Sequence, residues 1–458
     1  MNARPGGSNR ANEGSLPARR TAFRVETWGC QMNVLDGQRM AGQLEALGLT
    51  RAAEGERPGV VVLNTCAVRE KAEAKVFSEL GTLARRKQED PGLIVGVTGC
   101  VAQVSGDEIL ERAPWVDFVA GTGQVERIGE LVDEVRRERQ RAIRLDFPEE
   151  DPVYQFRKIS RESAFQAYVT VIEGCDQFCT FCIVPFTRGR ERCRSAAEIV
   201  DEVRHLASCG FTEVTLLGQT VNAYRDPTAG FGLGEMLRRA SGVQGIRRLR
   251  FLTSHPGLVD SDLIAALAEG GTIAPYLHLP AQSGSDRILN RMKRRYTAAQ
   301  YRETVARIRR AVPRLAMSSD FIVGFPGETE EDFEATLDLV RQTGFASLFA
   351  FRYSPRPGTA SARWGRGSEV SEQIAADRLR RLLGLQADLQ RELNRSLVGS
   401  EFEVLIEGWD RRGQSTGRTA CNRIVHLERE GAGAAPGQYL RVRITRGLPN
   451  SLIGTPAA

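Results

Sequence analysis

Three cysteines on one short loop carry the clearest chemical signal in the sequence. Cys175, Cys179 and Cys182 lie within GCDQFCTFC and have the spacing C-x3-C-x2-C. Structural zinc sites are closed by four protein ligands, and most iron–sulfur clusters are also held by four cysteines. Three thiolates therefore indicate a cluster in which one iron stays open to another molecule. A zinc loop with a distant fourth ligand, or a chance grouping, is the alternative.

A second set of three cysteines is spread over the first hundred residues. Cys30, Cys66 and Cys100 are separated by 36 and 34 residues, and each follows a short apolar run that we expect to be a strand. These intervals fit one strand–helix–strand repeat, and the carboxyl ends of parallel strands lie along one edge of a sheet. We therefore expect a second three-thiolate site. Three buried cysteines that merely end core strands are the alternative.

The elements that must position these cysteines begin near residue 23, where short apolar runs alternate with amphipathic stretches. Such alternation predicts strand–helix–strand units and a parallel sheet, so we expect an N-terminal open parallel α/β domain over residues 21–144. The four strands of this region are FRVETWGC, VVVLNTC, LIVGVTGC and FVAGTG. We expect residues 1–20 to be a disordered basic lead. Residues 145–161 contain prolines and acids without a clear period, which is typical of a linker.

A second alternation runs over residues 162–397 and predicts a partial (β/α)6 barrel resembling a TIM barrel. An incomplete barrel has a lateral mouth wide enough for a macromolecule, and its reactive groups are expected after the strands. Residues 398–458 change to short alternating runs with glycine turns, which predict a small all-β barrel of a kind that often binds nucleic acid. The six strands of the partial barrel are AYVTVIEGC, EVTLLGQ, RLRFLTS, YLHLPAQSG, AMSSDFIVGFPGE and SLFAFRYSP.

Polar residues follow several of the barrel strands, where a strand that only packs would not need them. Any one of them can equally be a satisfied turn residue, but together they favour a ligand pocket. These candidates are Gln219, Ser254, Gln282, Ser318, Asp320 and Gly324.

The composition is that of a globular protein of two to four domains. The chain has 458 residues, of which 41% are hydrophobic and 26% charged, with a net charge of +6. This charge permits a nucleic-acid partner without arguing for one. No apolar run approaches the roughly 20 residues of a membrane-spanning helix. We therefore expect a cytoplasmic protein without a membrane anchor, whose nine cysteines serve as ligands rather than in disulfides.

Several of these motifs resemble known families. GCDQFCTFC is similar to the cluster loop of the radical S-adenosylmethionine (SAM) superfamily, with Phe181 as the aromatic residue that precedes the third cysteine. TWGCQMN, NTCAVREKAEAKVF and VTGC resemble the methylthiotransferase family, in particular its MiaB branch, and the C-terminal region resembles a TRAM domain. Two departures are Thr220, where an asparagine is common, and the extra Cys193.

The resemblance implies two 4Fe-4S clusters and SAM as cofactors. Cys175, Cys179 and Cys182 would hold the cluster that cleaves SAM to a radical, with Phe181 and the polar residues after the strands holding SAM itself. Cys30, Cys66 and Cys100 would hold an auxiliary cluster that supplies sulfur. The implied reaction adds a methylthio group to C2 of N6-isopentenyladenosine at position 37 of tRNA, beside the anticodon.

The implied partners are tRNA, a flavodoxin- or ferredoxin-like electron donor and a donor of sulfur or clusters, and we expect a monomer. Arginines that could meet RNA phosphates follow the cluster loop and recur in the C-terminal barrel, although a solvated surface is equally compatible with them. These arginines are Arg188, Arg190, Arg418, Arg423, Arg441 and Arg443.

Two alternative functions stay open at this point. A related methylthiotransferase would act on threonylcarbamoyladenosine in tRNA or on a ribosomal protein. A protein of a different class would bind RNA without catalysis and carry structural zinc at both cysteine sites.

Overall fold

The computed structural model describes residues 21–67, 70–138, 140–148, 154–364, 367–428 and 433–457. The disordered lead predicted for residues 1–20 and the middle of the predicted linker lie outside the described residues. Among the residues described, no helix combines the length and the apolar character needed to cross a membrane.

A parallel sheet with helices packed on it forms the N-terminal part of the chain. Its strands are β1 (Ala22–Trp28), β2 (Thr50–Arg51), β3 (Val60–Thr65), β4 (Ile94–Gly99), β5 (Phe118–Ala120) and β6 (Ala142–Arg144). Its helices are α1 (Gln31–Ala46), α2 (Glu70–Glu89), α3 (Cys100–Arg112) and α4 (Ile128–Glu138). The strand order is β2-β1-β3-β4-β5-β6, which confirms the predicted parallel α/β sheet.

The central strands of this sheet are buried along their whole length. All six residues of β3 and of β4 are buried, because apolar helix faces cover both sides of a parallel sheet. The predicted strands correspond to β1, β3, β4 and β5, whereas the short edge strands β2 and β6 were not predicted. Two or three residues carry too little alternation to be recognised as a strand.

The central part of the chain is built on six parallel strands. They are β7 (Gln166–Thr170), β10 (Glu213–Leu217), β11 (Arg248–Phe251), β12 (Tyr276–His278), β13 (Ala316–Val323) and β14 (Ser347–Arg352), and the short pair β8 (Ile172–Glu173) and β9 (Arg192–Cys193) flanks the cluster loop. The accompanying helices are α5 (Val184–Arg188), α6 (Ala196–Ser208), α7 (Leu233–Ser241), α8 (Ser261–Glu269), α9 (Asp286–Arg291), α10 (Ala298–Ala311), α11 (Glu330–Thr343) and α12 (Glu372–Ser396).

These strands form two three-stranded sheets that together make an open barrel. The sheet orders are β11-β10-β7 and β12-β13-β14, and a parallel bridge between Leu249 and Ile273 joins them. Within the described residues β7 and β14 do not pair with each other, so the barrel stays open on one side. This arrangement confirms the predicted partial barrel. Alternate residues of β10 show its two faces, since Val214 and Leu216 pack in the apolar core while Glu213 binds Arg248.

The C-terminal part is a closed five-stranded barrel, as predicted. Its strands are β15 (Glu401–Trp409), β16 (Ser415–Thr419), β17 (Ile424–Leu427), β18 (Tyr439–Gly447) and β19 (Leu452–Pro456), in the order β15-β16-β17-β19-β18. Two buried arginines of β11 attach it to the central barrel. Arg248 donates to the carbonyl of Arg418, and Arg250 donates to the carbonyls of Thr419 and Ala420, at 2.8–3.1 Å.

Candidate active site

The first cysteine triad lies on the loop between β8 and α5. Cys175 and Cys179 are buried and Cys182 is half-buried. Gly174 lets the loop turn here, because its φ is 76° and a Cβ would lie 2.0 Å from the Arg190 carbonyl oxygen. Burial, together with the neighbouring Cys179, raises the pKa of Cys182 to about 12. A nearby positive metal centre would reverse this shift, since a coordinating thiol is deprotonated outright.

Two polar side chains contact sulfur atoms of this triad. The Thr220 hydroxyl lies 3.4 Å from the Cys175 sulfur, and Arg294 Nη1 donates to the Cys179 sulfur at 3.4 Å. Hydrogen bonds of this kind to cluster sulfurs tune their charge and potential. Thr220, which departs from the expected asparagine, therefore still contacts the triad. The sequence pattern does not single out Arg294, because it lies 115 residues from Cys179.

The second triad gathers at the carboxyl edge of the N-terminal sheet. Cys30 precedes α1, Cys66 follows β3 and Cys100 begins α3 directly after β4. Because β1, β3 and β4 are adjacent and parallel, their carboxyl ends bring these cysteines to one edge, as the spacing predicted. A hydrogen bond with Cys66 and the charge of Arg188 lower the pKa of Cys30 to about 6. A lower pKa favours the thiolate, the form in which a cysteine binds a metal.

Buried asparagines support the second triad from behind. The Cys30 thiol donates to Asn33 Oδ1 at 3.3 Å, and Asn33 Nδ2 donates to Asn64 Oδ1 at 3.3 Å. Both asparagines are fully buried. Their positions could have been recognised from the sequence, since Asn33 lies three residues after Cys30 and Asn64 lies two before Cys66.

The two triads belong to elements that pack directly on each other. Ile183, the residue after Cys182, is buried in the same apolar cluster as Cys100 and Val101 of α3. Helix α5, which follows Cys182, contacts α3, and Thr122 of the N-terminal part donates to the carbonyl of Thr187. In the described part of the chain no group of three or more His, Cys, Asp or Glu side chains could hold a single metal ion. The thiols of each triad are therefore not placed for one metal ion, and it is the contacts of the surrounding elements that bring them to the same region.

Three of the predicted ligand-pocket residues have buried oxygen atoms that lack a hydrogen-bond partner. They are Gln219 Oε1, Ser254 Oγ and Gln282 Oε1, after β10, β11 and β12 respectively, with no partner among the described residues. An unpaired buried polar group costs about 1–3 kcal/mol. Gln282 also has a φ of 69°, which is strained for a residue with a side chain. Strain and unpaired polar atoms at successive strand ends fit a polar ligand bound there.

The other predicted pocket residues have partners within the protein. Ser318 Oγ lies 2.6 Å from the Tyr276 hydroxyl and 2.8 Å from His278 Nδ1. Asp320 Oδ2 lies 3.4 Å from His278 Nε2. Gly324 has a φ of 70°, and a Cβ there would lie 2.7 Å from the Cβ of Ala375 in α12. These contacts give Ser318 and Gly324 a structural role, and their contact with SAM stays a prediction.

Aromatic and acidic residues surround the end of β13. Phe181 meets Phe325 edge to face with ring centroids 6.4 Å apart, so it packs in a small apolar cluster beside Cys182. The Glu328 carboxylate accepts hydrogen bonds from the Gly324 backbone amide at 2.6 Å and from Arg378 at 2.9 Å. Burial raises the pKa of Glu328 to about 7, although these two donors oppose the shift.

The predicted RNA-contact arginines fall into two groups. Arg188 is 6% exposed and lies against the second triad, so it is not on the surface where a phosphate contact was predicted. Arg190 is 78% exposed and pairs with Asp176 at 2.8 Å. In the C-terminal barrel Arg441 and Arg443 are exposed and pair with Glu401, whereas Arg418 pairs with Glu407 and Arg423 donates to Asn394.

Comparisons with known proteins agree with this organisation. Residues 22–121 match the Uncharacterized protein family UPF0004, residues 169–340 the Radical SAM superfamily and residues 395–457 the TRAM domain. A protein of Cereibacter sphaeroides named tRNA-2-methylthio-N(6)-dimethylallyladenosine synthase is 47% identical over 433 residues, which cover 94% of this chain and 97% of that protein.

A more distant relative and a solved structure extend this similarity. A Mycobacterium tuberculosis protein with the same name is 42% identical over 462 residues, covering 96% of this chain and 83% of that protein. The radical S-adenosylmethionine methyltransferase TsrM of Kitasatospora setae superimposes with a TM-score of 0.53 at 16% identity, over 75% of both chains. This last likeness concerns the fold alone.

Proposed function

The chain belongs to the radical SAM methylthiotransferase family whose members are named tRNA-2-methylthio-N(6)-dimethylallyladenosine synthase, and from this premise we propose that it performs the same reaction. It transfers a methylthio group to C2 of N6-isopentenyladenosine beside the anticodon of tRNA. The alternatives of a threonylcarbamoyladenosine or ribosomal-protein target, and of a zinc protein without catalysis, are not favoured by the names of these relatives.

The observation that carries the proposal is the packing of the cluster loop on the N-terminal sheet. Ile183 ties the residue after Cys182 into the apolar cluster that contains Cys100. The reaction needs hydrogen removal and sulfur delivery at one carbon atom, and a second SAM would supply the methyl group of the added sulfur. Two cysteine triads on elements in direct contact support both steps at one base.

The donor sets fit iron–sulfur clusters. Cys175, Cys179 and Cys182 would hold the first 4Fe-4S cluster and Cys30, Cys66 and Cys100 the second, each with three thiolates and therefore one open iron. When bound, the first cluster supplies the electron that cleaves SAM and the second supplies the sulfur. The chain's own residues support these groups, since Arg294 and Thr220 contact sulfurs of the first triad.

The unpaired oxygens of Gln219, Ser254 and Gln282 are the groups that we propose for SAM. SAM carries an ammonium group, ribose hydroxyls and an exocyclic amine, all of which can donate to these oxygens. Binding would remove the cost of three unpaired atoms, so the site is organised for its ligand before the ligand arrives. Phe181 on the cluster loop, Ser318 and Asp320, which lie inside β13 rather than after a strand, and Gly324 directly after β13 are the other residues that we propose for SAM.

The tRNA would reach the barrel through its open side. A base that reacts at C2 must be turned out of its loop, as sequence-specific RNA recognition usually requires. We propose that Arg190, Arg441 and Arg443, which are all exposed, meet the phosphates, and that Arg418 and Arg423 act at the edge of the C-terminal barrel. We further propose action as a monomer in the cytoplasm, with a flavodoxin- or ferredoxin-like electron donor and a separate sulfur or cluster donor.

The test is nucleoside mass analysis after anaerobic incubation with SAM, reductant and prenylated tRNA. We expect the methylthiolated nucleoside and about eight irons per reconstituted chain, from two four-iron clusters. The triple variant Cys30→Ala, Cys66→Ala, Cys100→Ala should bind about four irons and still cleave SAM, but form no methylthiolated product. Thiolation by this variant would overturn the assigned roles, and stoichiometric zinc in a colourless protein would favour the non-catalytic alternative.

A further inference from the structure

Helix α1 is unusual because it is buried on nearly all sides. Eleven of its 16 residues are buried, including the charged Asp36 and Arg39. It begins directly after Cys30 and contacts both the N-terminal sheet and β7 of the central barrel. This helix therefore contacts both the sheet that carries the second triad and the barrel that carries the first.

An alternating row of charges crosses this helix. Arg188 donates to Asp36 at 2.6 Å, Asp36 lies 3.6 Å from Arg39, and Arg39 donates to Glu173 at 3.1 Å. The four side chains are only 1–13% exposed. We call this row the charge clamp, and it consists of Arg188, Asp36, Arg39 and Glu173.

The two ends of the charge clamp flank the first cysteine triad. Glu173 lies two residues before Cys175, and Arg188 lies six residues after Cys182. The two middle members lie on α1, in the two turns that follow Cys30. The charge clamp therefore connects α1, which begins directly after Cys30, to the residues on both sides of the cluster loop.

Buried ion pairs of this kind add little net stability over well-packed apolar residues, because both ions must be taken out of water. Their better-supported use is to enforce one specific arrangement, since any other arrangement leaves a buried charge unpaired. Two separate elements that must stand at one fixed spacing are a case where that specificity is needed.

Arg188 also lies close to the second triad: it is the last residue of α5, which contacts α3, the helix that begins at Cys100, and its partner Asp36 lies six residues after Cys30. Burial works against its charge, but Asp36, Cys100 and Cys30 together raise its pKa well above the ordinary value. Arginine remains charged under all working conditions and tolerates burial better than lysine, because its charge is spread over the guanidinium plane. A permanent positive charge thus faces thiols that turn negative when they bind iron.

We propose that the charge clamp is a positioning device that holds the second triad at a fixed spacing from the first, and that Arg188 also offsets the negative charge of a cluster bound at the second triad. The first part deepens the proposed function and rests on it. The second part concerns the potential of one cluster and is measured without RNA.

The potential is measured in the full chain with Cys175, Cys179 and Cys182 changed to Ala, so that only the second triad can bind a cluster. In this background Arg188→Met should lower the midpoint potential, because a nearby positive charge favours the reduced cluster. Arg188→Lys should restore it towards the parent value. The matched control is Arg341→Met, which removes a half-exposed arginine that pairs with Asp338 on α11.

The positioning role is measured with all six cysteines present. Arg188→Met and Asp36→Asn should raise the ratio of 5′-deoxyadenosine to methylthiolated product at least fivefold, while 5′-deoxyadenosine formation without RNA stays within twofold of the parent protein. Circular dichroism and iron content identify a variant that has not folded; if Arg188→Met has not folded, Asp36→Asn carries the test, and if Asp36→Asn has not folded, Arg188→Met carries it.

Unchanged potential and unchanged product ratio in Arg188→Met would overturn the proposal. A potential in Arg188→Lys as low as in Arg188→Met would overturn the charge role, since it would leave only a requirement for the arginine's shape. If the parent protein itself forms no methylthiolated nucleoside, the proposed function fails instead, and the potential still tests Arg188 independently.

Discussion

The attachment of the C-terminal barrel depends on one buried carboxylate that serves two arginines. Glu213 lies 3.1 Å from Arg248 and 3.3 Å from Arg250, and all three side chains are at most 6% exposed. The same arginines donate to backbone carbonyls at the end of β16. Glu213 therefore holds both arginines in the position that binds the C-terminal barrel.

Glu213→Gln should weaken this attachment by about 3–5 kcal/mol, which is the cost of leaving buried charges without their partner. Since about 1.4 kcal/mol corresponds to a factor of ten, the detached population should rise a hundredfold to several thousandfold. Hydrogen exchange of backbone amides in β16 and β17 measures this population directly, because an attached barrel protects them. Binding of tRNA should weaken in parallel if the C-terminal barrel contributes to it.

The matched control is Glu403→Gln. Glu403 is 49% exposed; it lies 2.8 Å from Arg247 at the rim of the same interface and 3.5 Å from Arg248, whose closer carboxylate partner is Glu213 at 3.1 Å. A surface pair contributes only about 0–1 kcal/mol, so exchange in this variant should change less than about fivefold. Equal protection in Glu213→Gln and in the parent protein would refute the reasoning, as would an equal loss of protection in both variants.

Three further predictions follow from individual side chains. Burial and two neighbouring arginines lower the pKa of His255 to about 3. The free energy of unfolding should therefore be constant above pH 6.5 and fall by about 1.4 kcal/mol for each pH unit below it, because the unfolded chain then binds a proton that the folded chain does not. His255→Asn, which keeps an acceptor for the Gly257 amide, should flatten the fall in melting temperature between pH 6.5 and 4. Burial works against the charge of Asp332, but hydrogen bonds from Arg287, Ser285 and Thr329 outweigh it and lower the pKa of Asp332 to about 2. The ionised carboxylate therefore contributes to the free energy of unfolding above pH 3.8, and this contribution is lost as the pH falls towards 2. Asp332→Asn should cost about 1–2 kcal/mol at pH 7 in urea unfolding and almost nothing at pH 2. Gly174→Ala should reduce the iron bound at the first triad more than the iron bound at the second, because a Cβ would clash with the Arg190 carbonyl. The control is Gly384→Ala, where a Cβ meets nothing within 4 Å. Equal iron content in the two variants would contradict this prediction.

The parts of the site that depend on strand register could be predicted from the sequence. Cys30, Cys66 and Cys100 end adjacent parallel strands, so periodicity alone brings them to one edge. Gln219, Ser254 and Gln282 follow strands in the same way, and each has a buried oxygen without a hydrogen-bond partner in the part of the chain that the structure describes.

The parts that depend on contacts between domains could not be predicted. Arg188 stands in a run of exposed-looking arginines, and its partner Asp36 lies 152 residues earlier, so nothing local distinguishes it from a surface residue. Arg194 of the same run is also buried, but its partner Glu202 lies only eight residues later. Burial of a charge is decided by what packs over it, and a local pattern contains no information about that.

The position of Ile183 affects whether the N-terminal domain can be produced as a separate fragment. It fills a place in the apolar cluster of the N-terminal sheet, although it belongs to a later part of the chain. A fragment that stops at residue 144 would leave this place open to water and should aggregate more readily than its own sheet and helices suggest. During synthesis the first domain emerges before residue 183 does, so its surface is completed only when the loop arrives and closes over it.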